Sequence, residues 1–163
     1  MNNEQMQRIV ELIVARLLAR QGNLLKLSQE ELRHASAMRL FLTHDQLRVT
    51  QTDLCFLRDL AEGDRDNTAV AHLFEALALG MKVEIALHHR LLGSLPLKEL
   101  AKLPLTFSDE TGTPVIALTS RLLSYRDIVG LSGCWLVTSR KTLITALARE
   151  AVVSQHIRLV KQE

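Results

Sequence analysis

The sequence predicts an α/β fold: a compact mixed or mostly parallel sheet with helical cover, preceded by an amphipathic N-terminal helix. Three observations carry that prediction. Short apolar runs alternate with capped helical patterns through the C-terminal third, Leu105 to Val160, and that alternation marks strand–helix–strand units. Between Asn3 and Arg20 apolar residues recur at three-and-four spacing, the period of a helix with one apolar face. The 163 residues are 47% hydrophobic, so the chain can bury a core without disulfides or a structural metal. Two units follow: an N-terminal helix in residues 1–22 and one α/β domain in residues 23–163.

Met6, Ile9, Val10, Ile13, Val14, Leu17 and Leu18 form the stripe of the first helix, with Gln7, Arg8, Glu11, Arg16 and Arg20 opposite. Leu12 widens it toward the polar side, and Gly22 suits the C-terminal cap. Such a helix either packs on its own domain or lays its stripe on a partner. Ser28 and Glu31 form a capping box, with Leu27 and Leu32 placed as a hydrophobic staple, predicting a second helix to about Ala37. Leu40-Phe41-Leu42 reads as a strand ending at His44-Asp45, and Leu47-Arg48-Val49 as another. Thr50 is expected to cap a helix whose core face is Leu54, Leu57 and Leu60, with Cys55 and Phe56 buried beside them.

Asn67 or Thr68 caps the next helix, with Val70, Leu73, Phe74 and Leu77 inward and Gly80 at its end. Val83, Ile85 and Leu87 alternate with Lys82, Glu84 and Ala86, the pattern of a strand with one buried face. Pro96 starts a helix that ends before Pro104, with Leu97, Leu100, Ala101 and Leu103 inward. Beyond it lie strands at Leu105–Phe107, Val115–Leu118, Cys134–Thr138 and Ile157–Val160, with short helices opened by Ser124 and Thr145.

Composition narrows the function classes. Net charge is +2, and the six aromatic residues are not interleaved with a basic run, which argues against nucleic acid as partner. The longest apolar runs fall well short of the ~20 residues that span a bilayer, so no membrane is expected. No leader pattern is seen, and Cys55 and Cys134 sit far apart in apolar runs, which predicts buried free thiols in a reducing cytosol.

Catalytic and cofactor signatures are missing. There is no paired C-x-x-C, no H-E-x-x-H, no nucleophile elbow, and no phosphate-cradling glycine loop among the seven glycines. No catalytic, cofactor or metal residue is therefore expected. His88 and His89 stand at a strand end, where successive side chains point to opposite faces and should not share an ion. Asp109 belongs to the turn Asp109–Pro114 and is expected to bond its own backbone. Thr145 at a helix start, with Arg149 one turn on, is a possible anion site.

Several stretches carry a resemblance. Met1-Asn2-Asn3-Glu4 with Gln7-Arg8-Ile9-Val10-Glu11 resembles the start of the PduM family of propanediol-utilisation microcompartment proteins. So do Glu75-Ala76-Leu77-Ala78 leading to Gly80, Leu87-His88, Leu91-Leu92, Leu100-Ala101-Lys102-Leu103-Pro104-Leu105, Leu123-Ser124-Tyr125-Arg126-Asp127 and the ending from Arg158 to Glu163. The resemblance covers essentially the whole chain. It implies a non-enzymatic structural or assembly factor of a propanediol-degrading bacterial microcompartment in the cytoplasm, meeting shell or lumen proteins, with self-association open. It brings no catalytic residues. It puts docking first for the N-terminal helix, with Met6, Ile9, Val10, Ile13, Val14 and Leu17 as partner-binding residues. Ile144 to Glu150 is similar to an I-T-P-L-A-R segment of ethanolamine-utilisation proteins, but Ala146 replaces the helix-opening proline. The alternative class is a ligand-binding α/β protein holding flavin, nucleotide or phosphate, with a vestigial or accessory enzymatic role. The order of strands and helices in the middle region is distantly similar to that of small flavoproteins, a fold-level analogy.

Overall fold

The structure is a computed structural model that describes residues 2–163; Met1, with which the N-terminal unit and the resemblance begin, lies outside the described residues. Helix α1, Asn3–Arg20, is capped by Asn2, whose side chain accepts the Glu4 N–H at 3.4 Å while Gln5 reaches back to the Asn2 N–H. None of its residues is buried. It meets the rest of the chain at its C-terminal end. There Arg20 donates to the carbonyls of Phe41 and Leu79, and Asn23 donates to Ala19 and Thr43.

Strand β1, Leu24–Ser28, lies where no strand was expected; it is short, and its last residue doubles as the cap of α2, Gln29–His34. Ser28 Oγ accepts the Glu31 N–H at 3.1 Å, the expected capping box, but α2 stops at His34. Leu40-Phe41-Leu42 is helical, not extended, inside α3, Ala37–Thr43. Phe41 alone of the three is fully buried while Leu42 is exposed, and a short apolar run cannot by itself separate the two periods. Met38, Arg39 and Leu40 are good helix formers, which favours the observed state.

Strand β2 runs over Gln46–Thr52 and includes Thr50, so the cap of α4, Leu54–Glu62, falls to Asp53, which accepts the Phe56 N–H at 2.8 Å. The helix is turned accordingly: Phe56, Leu57 and Leu60 are buried, Leu54 is half-buried, and Cys55 is exposed rather than buried. Asn67 caps α5, Thr68–Ala78. Gly80 follows at φ 76°, which lets the Met81 N–H return to the Ala76 carbonyl at 3.1 Å and buries Met81.

Strand β3, Lys82–Leu87, shows the expected alternation of burial, and a 3₁₀ turn over His89–Ser94 leads to α6, Leu97–Leu100. Leu97 and Leu100 are buried, but Ala101 is exposed because the helix has ended. The remainder comprises β4 Leu105–Ser108, β5 Pro114–Leu118, β6 Leu122–Leu123, α7 Tyr125–Ile128, β7 Trp135–Thr138, β8 Leu143–Ile144, α8 Ala146–Ser154 and β9 Arg158–Lys161. The two-residue strands β6 and β8 pair with each other and are too short to leave a sequence pattern.

Seven strands form one sheet in the order β1-β2-β3-β4-β5-β7-β9. Strands β1 to β4 are parallel, β5 lies antiparallel to β4, and β5, β7 and β9 are parallel again. The sheet is therefore mixed and mostly parallel, in two oppositely directed halves. Each half has its own core. The larger, with Leu47, Val49, Phe56, Leu73 and Ile85, also takes Val115 and Val137; the smaller, with Ile128, Leu136, Ala148 and Val152, takes Ile116. Val115 and Ile116 are successive residues of β5, and successive strand side chains point to opposite faces, so the two cores lie on opposite faces of the sheet. At the β4–β5 junction the C-terminal ends of β3 and β4 meet the starts of β5 and β7.

Candidate functional site

Helix α1 carries the first candidate surface. Met6, Ile9, Val10, Ile13, Val14 and Leu17, the six residues singled out from sequence, are each 46–53% exposed, and Leu12 and Leu18 are more open still. Eight large apolar side chains on one helix face water, which isolated surface residues do routinely but a contiguous stripe seldom does. Near its base, Arg16, Ala19, Arg20, Asn23, Arg39 and Leu42 line a cleft of about 530 Å³ between α1 and α3.

The second surface lies at the C-terminal edge of β3 and β4. The register Ala86↔Ser108 sets the residues that follow each strand side by side. Sequence reasoning kept His88 and His89 apart by strand alternation, but β3 ends at Leu87 and the alternation ends with it. Their rings stack at 4.5 Å between centroids. Both face Glu110: His89 Nδ1 lies 2.5 Å and His88 Nε2 3.5 Å from Glu110 Oε1. The other carboxylate oxygen accepts the His89 backbone N–H at 2.9 Å. Hydrogen bonding from its own backbone N–H, and then from the His89 ring, holds the Glu110 carboxyl down to about 2.

Behind this cluster stands Asp109, only 3% exposed. One carboxylate oxygen accepts the Thr111 N–H and hydroxyl and the Thr113 N–H at 2.7–2.8 Å, as the turn motif predicts. The other accepts the Trp135 indole N–H at 2.9 Å, a partner 26 residues on that no local pattern announces. Burial pushes the Asp109 pKa up, but these hydrogen bonds, the Trp135 indole's first, outweigh it and bring it to about 2. The Trp135 ring in turn stacks on His89 at 5.6 Å and 8°, and the Arg158 guanidinium sits over the ring at 5.1 Å. A cleft of about 450 Å³ opens beside His88 and Glu110, bordered by Lys26, Thr50, Gln51 and Thr52. The β2–β3 register shifts between Val49 and Thr52, and Gln51 there takes φ 54°.

Thr145 and Arg149 do not make a comparable site. The Thr145 hydroxyl already accepts the Ala148 N–H at 3.2 Å as the cap of α8, and Arg149 is an exposed residue one turn on. His72 is structural: its Nδ1 lies 2.7 Å from the Leu32 carbonyl at the end of α2. Burial pushes the Cys134 thiol up, as expected of an inert core cysteine.

The chain is similar throughout to proteins already described. The family model PDU_like, described as "Putative propanediol utilisation", matches residues 8–158. Over 163 residues the chain is 44% identical to "Bacterial microcompartment assembly protein PduM" of Citrobacter freundii, with 100% of each chain covered. It is 43% identical, over the same span and coverage, to the protein of that description from Salmonella typhimurium strain LT2. No solved structure matches the chain.

Proposed function

The chain belongs to the PduM family of bacterial microcompartment assembly proteins, and from that premise we propose that it is a non-catalytic assembly factor of a propanediol-degrading microcompartment in the cytoplasm, joined to a shell or lumen protein through α1. The observation that supports this most is the solvent-facing stripe of α1. An 18-residue helix that buries none of its own residues gains little from its own domain, since packing of an apolar face supplies most helical stability in proteins. A partner that covers the stripe supplies what the domain does not. The α/β body then serves as the platform that presents the helix.

Burying a Leu or Ile side chain stabilises by about 1.5–3 kcal/mol, so two anchors can shift docking by orders of magnitude. Replacing Ile13 and Leu17 by Glu puts charge in the middle of the stripe, where desolvation opposes it. Because both side chains are half exposed, the double variant should keep the wild-type circular dichroism spectrum and solubility. It should lose co-purification with microcompartments. A folded double variant that co-purifies at the wild-type level sinks the docking role and moves the interface to the body; one that unfolds shows that α1 belongs to the core. A change of native mass on substitution would instead assign the stripe to a second copy of this chain.

A further inference from the structure

We propose that His88, His89 and Glu110 form a binding site for one borderline divalent transition-metal ion of the zinc type. One ligand atom from each of the three residues lies within 4.8 Å of the other two. In a tetrahedral site with bonds of about 2.0–2.1 Å, ligand atoms stand roughly 3.3 Å apart, so small rotations of the two rings close the triad. The His88 and His89 side chains are 50% and 43% exposed, which leaves room for them.

The donor set selects the class of ion. Two imidazole nitrogens and one carboxylate oxygen suit zinc, cobalt or nickel; magnesium and calcium prefer oxygen throughout. The ligands are also held from behind. Glu110 Oε2 takes the His89 backbone N–H at 2.9 Å, which leaves Oε1 toward both rings. His89 lies flat on Trp135, and Trp135 is fixed by the buried Asp109 carboxylate at 2.9 Å. Support of this kind orients ligating side chains and raises metal affinity. The ion takes the place of the hydrogen bond between the His89 ring and Glu110 Oε1. On His88, metal at Nε2 puts the ring proton on Nδ1, giving up only the 3.3 Å contact from the Arg90 N–H.

Three protein ligands leave a fourth position for water, an anion or a donor from a partner. The cleft of about 450 Å³ beside His88 and Glu110 gives room for it. The cluster depends on β3, β4 and β7, not on α1, so it stands apart from the docking helix.

Titration of the chelator-stripped, tag-free full chain with cobalt(II), followed by its visible absorption, and competition with zinc(II) test the site. The expected result is one saturable equivalent per chain. Removing a ligand should cost at least the roughly tenfold that loss of a supporting residue costs, so His88→Ala, His89→Ala and Glu110→Gln should each weaken binding by tenfold or more. Two controls should bind as wild type: His34→Gln, which breaks the exposed pair His34–Glu30, and Cys55→Ser, which removes an exposed thiol. Circular dichroism checks that each variant folds, and any one folded ligand variant suffices. No saturable equivalent, or an equivalent that survives in the ligand variants or vanishes with His34 or Cys55, overturns the proposal.

Discussion

Asp109 shows how a single side chain ties distant segments together. It spends one oxygen on its own turn and the other on Trp135, and it is almost fully buried. A carboxylate whose folded pKa is depressed adds stability above its unfolded value, and loses that stability as pH falls through the folded one. For Asp109 the window runs from 3.8 down to about 2, and the shift corresponds to roughly 2 kcal/mol. Glu110 acts with the same sign, from 4.5 down to about 2. Asp109→Asn should therefore destabilise the protein near neutrality by about 1–3 kcal/mol, because its amide group cannot accept from both the turn and the indole. It should also flatten, without abolishing, the fall in stability between pH 4 and 2. Urea unfolding midpoints at several pH values check this; an unchanged acid slope would show that Asp109 is not the group responsible. The turn role of Asp109 was legible in the spacing Asp109-Glu110-Thr111-Gly112-Thr113, but its indole partner was not. Nor was the convergence of His88, His89 and Glu110, because it depends on the register of β3 against β4, which neither segment states alone.

At the scale of elements, legibility follows length and periodicity. Helices α1 and α5 and strand β3 repeat their pattern long enough to declare themselves, and each lies where the sequence placed it. Strand β1 and helix α3 did not, since three apolar residues in a stretch this short fit either period. The cap of α4 turned on a related ambiguity, because Thr50 and Asp53 are both acceptable caps. The structure assigns the cap to Asp53, whose oxygen lies 2.8 Å from the Phe56 nitrogen, and leaves Thr50 in β2, donating to the Leu27 carbonyl at 3.4 Å. Asp53→Ala should cost about 0.5–2 kcal/mol, whereas Thr50→Ala should cost clearly less. Thermal unfolding of the two variants decides the matter: equal losses, or a larger loss at Thr50, would contradict the observed cap. The apolar stripe of α1 was legible for the same reason as the helix itself. Its exposure was not, because an amphipathic pattern does not say which apolar surface it faces.

The whole molecule is two oppositely directed parallel half-sheets joined at one short antiparallel seam. Only Phe107↔Val115 and Ser108↔Pro114 pair across that seam. The smaller core, around Leu136, Ala148 and Val152, lies wholly within the β5–β7–β9 half. Three features oppose separation of the halves: Val115 and Val137 are buried in the larger core, Trp135 reaches across to Asp109 and His89, and Gln162, just beyond β9, donates to the carbonyls of Leu92 and Leu95. Regions with fewer buried contacts open at lower free energy than the centre of the main core. Amides of β7 and β9 should therefore exchange with solvent faster than those of β2 and β3, as a cooperative group. Trp135→Phe keeps an aromatic ring against His89 but removes the indole N–H, leaving a buried carboxylate oxygen of Asp109 short of one donor, at a cost of about 1–3 kcal/mol. That loss should fall on the junction and raise exchange in β7 and β9, with little change in β2 and β3. Native-state hydrogen exchange resolved by segment reads both effects. Uniform loss of protection across all seven strands would mean that the seam is no weaker than the rest and that the protein opens only as one unit.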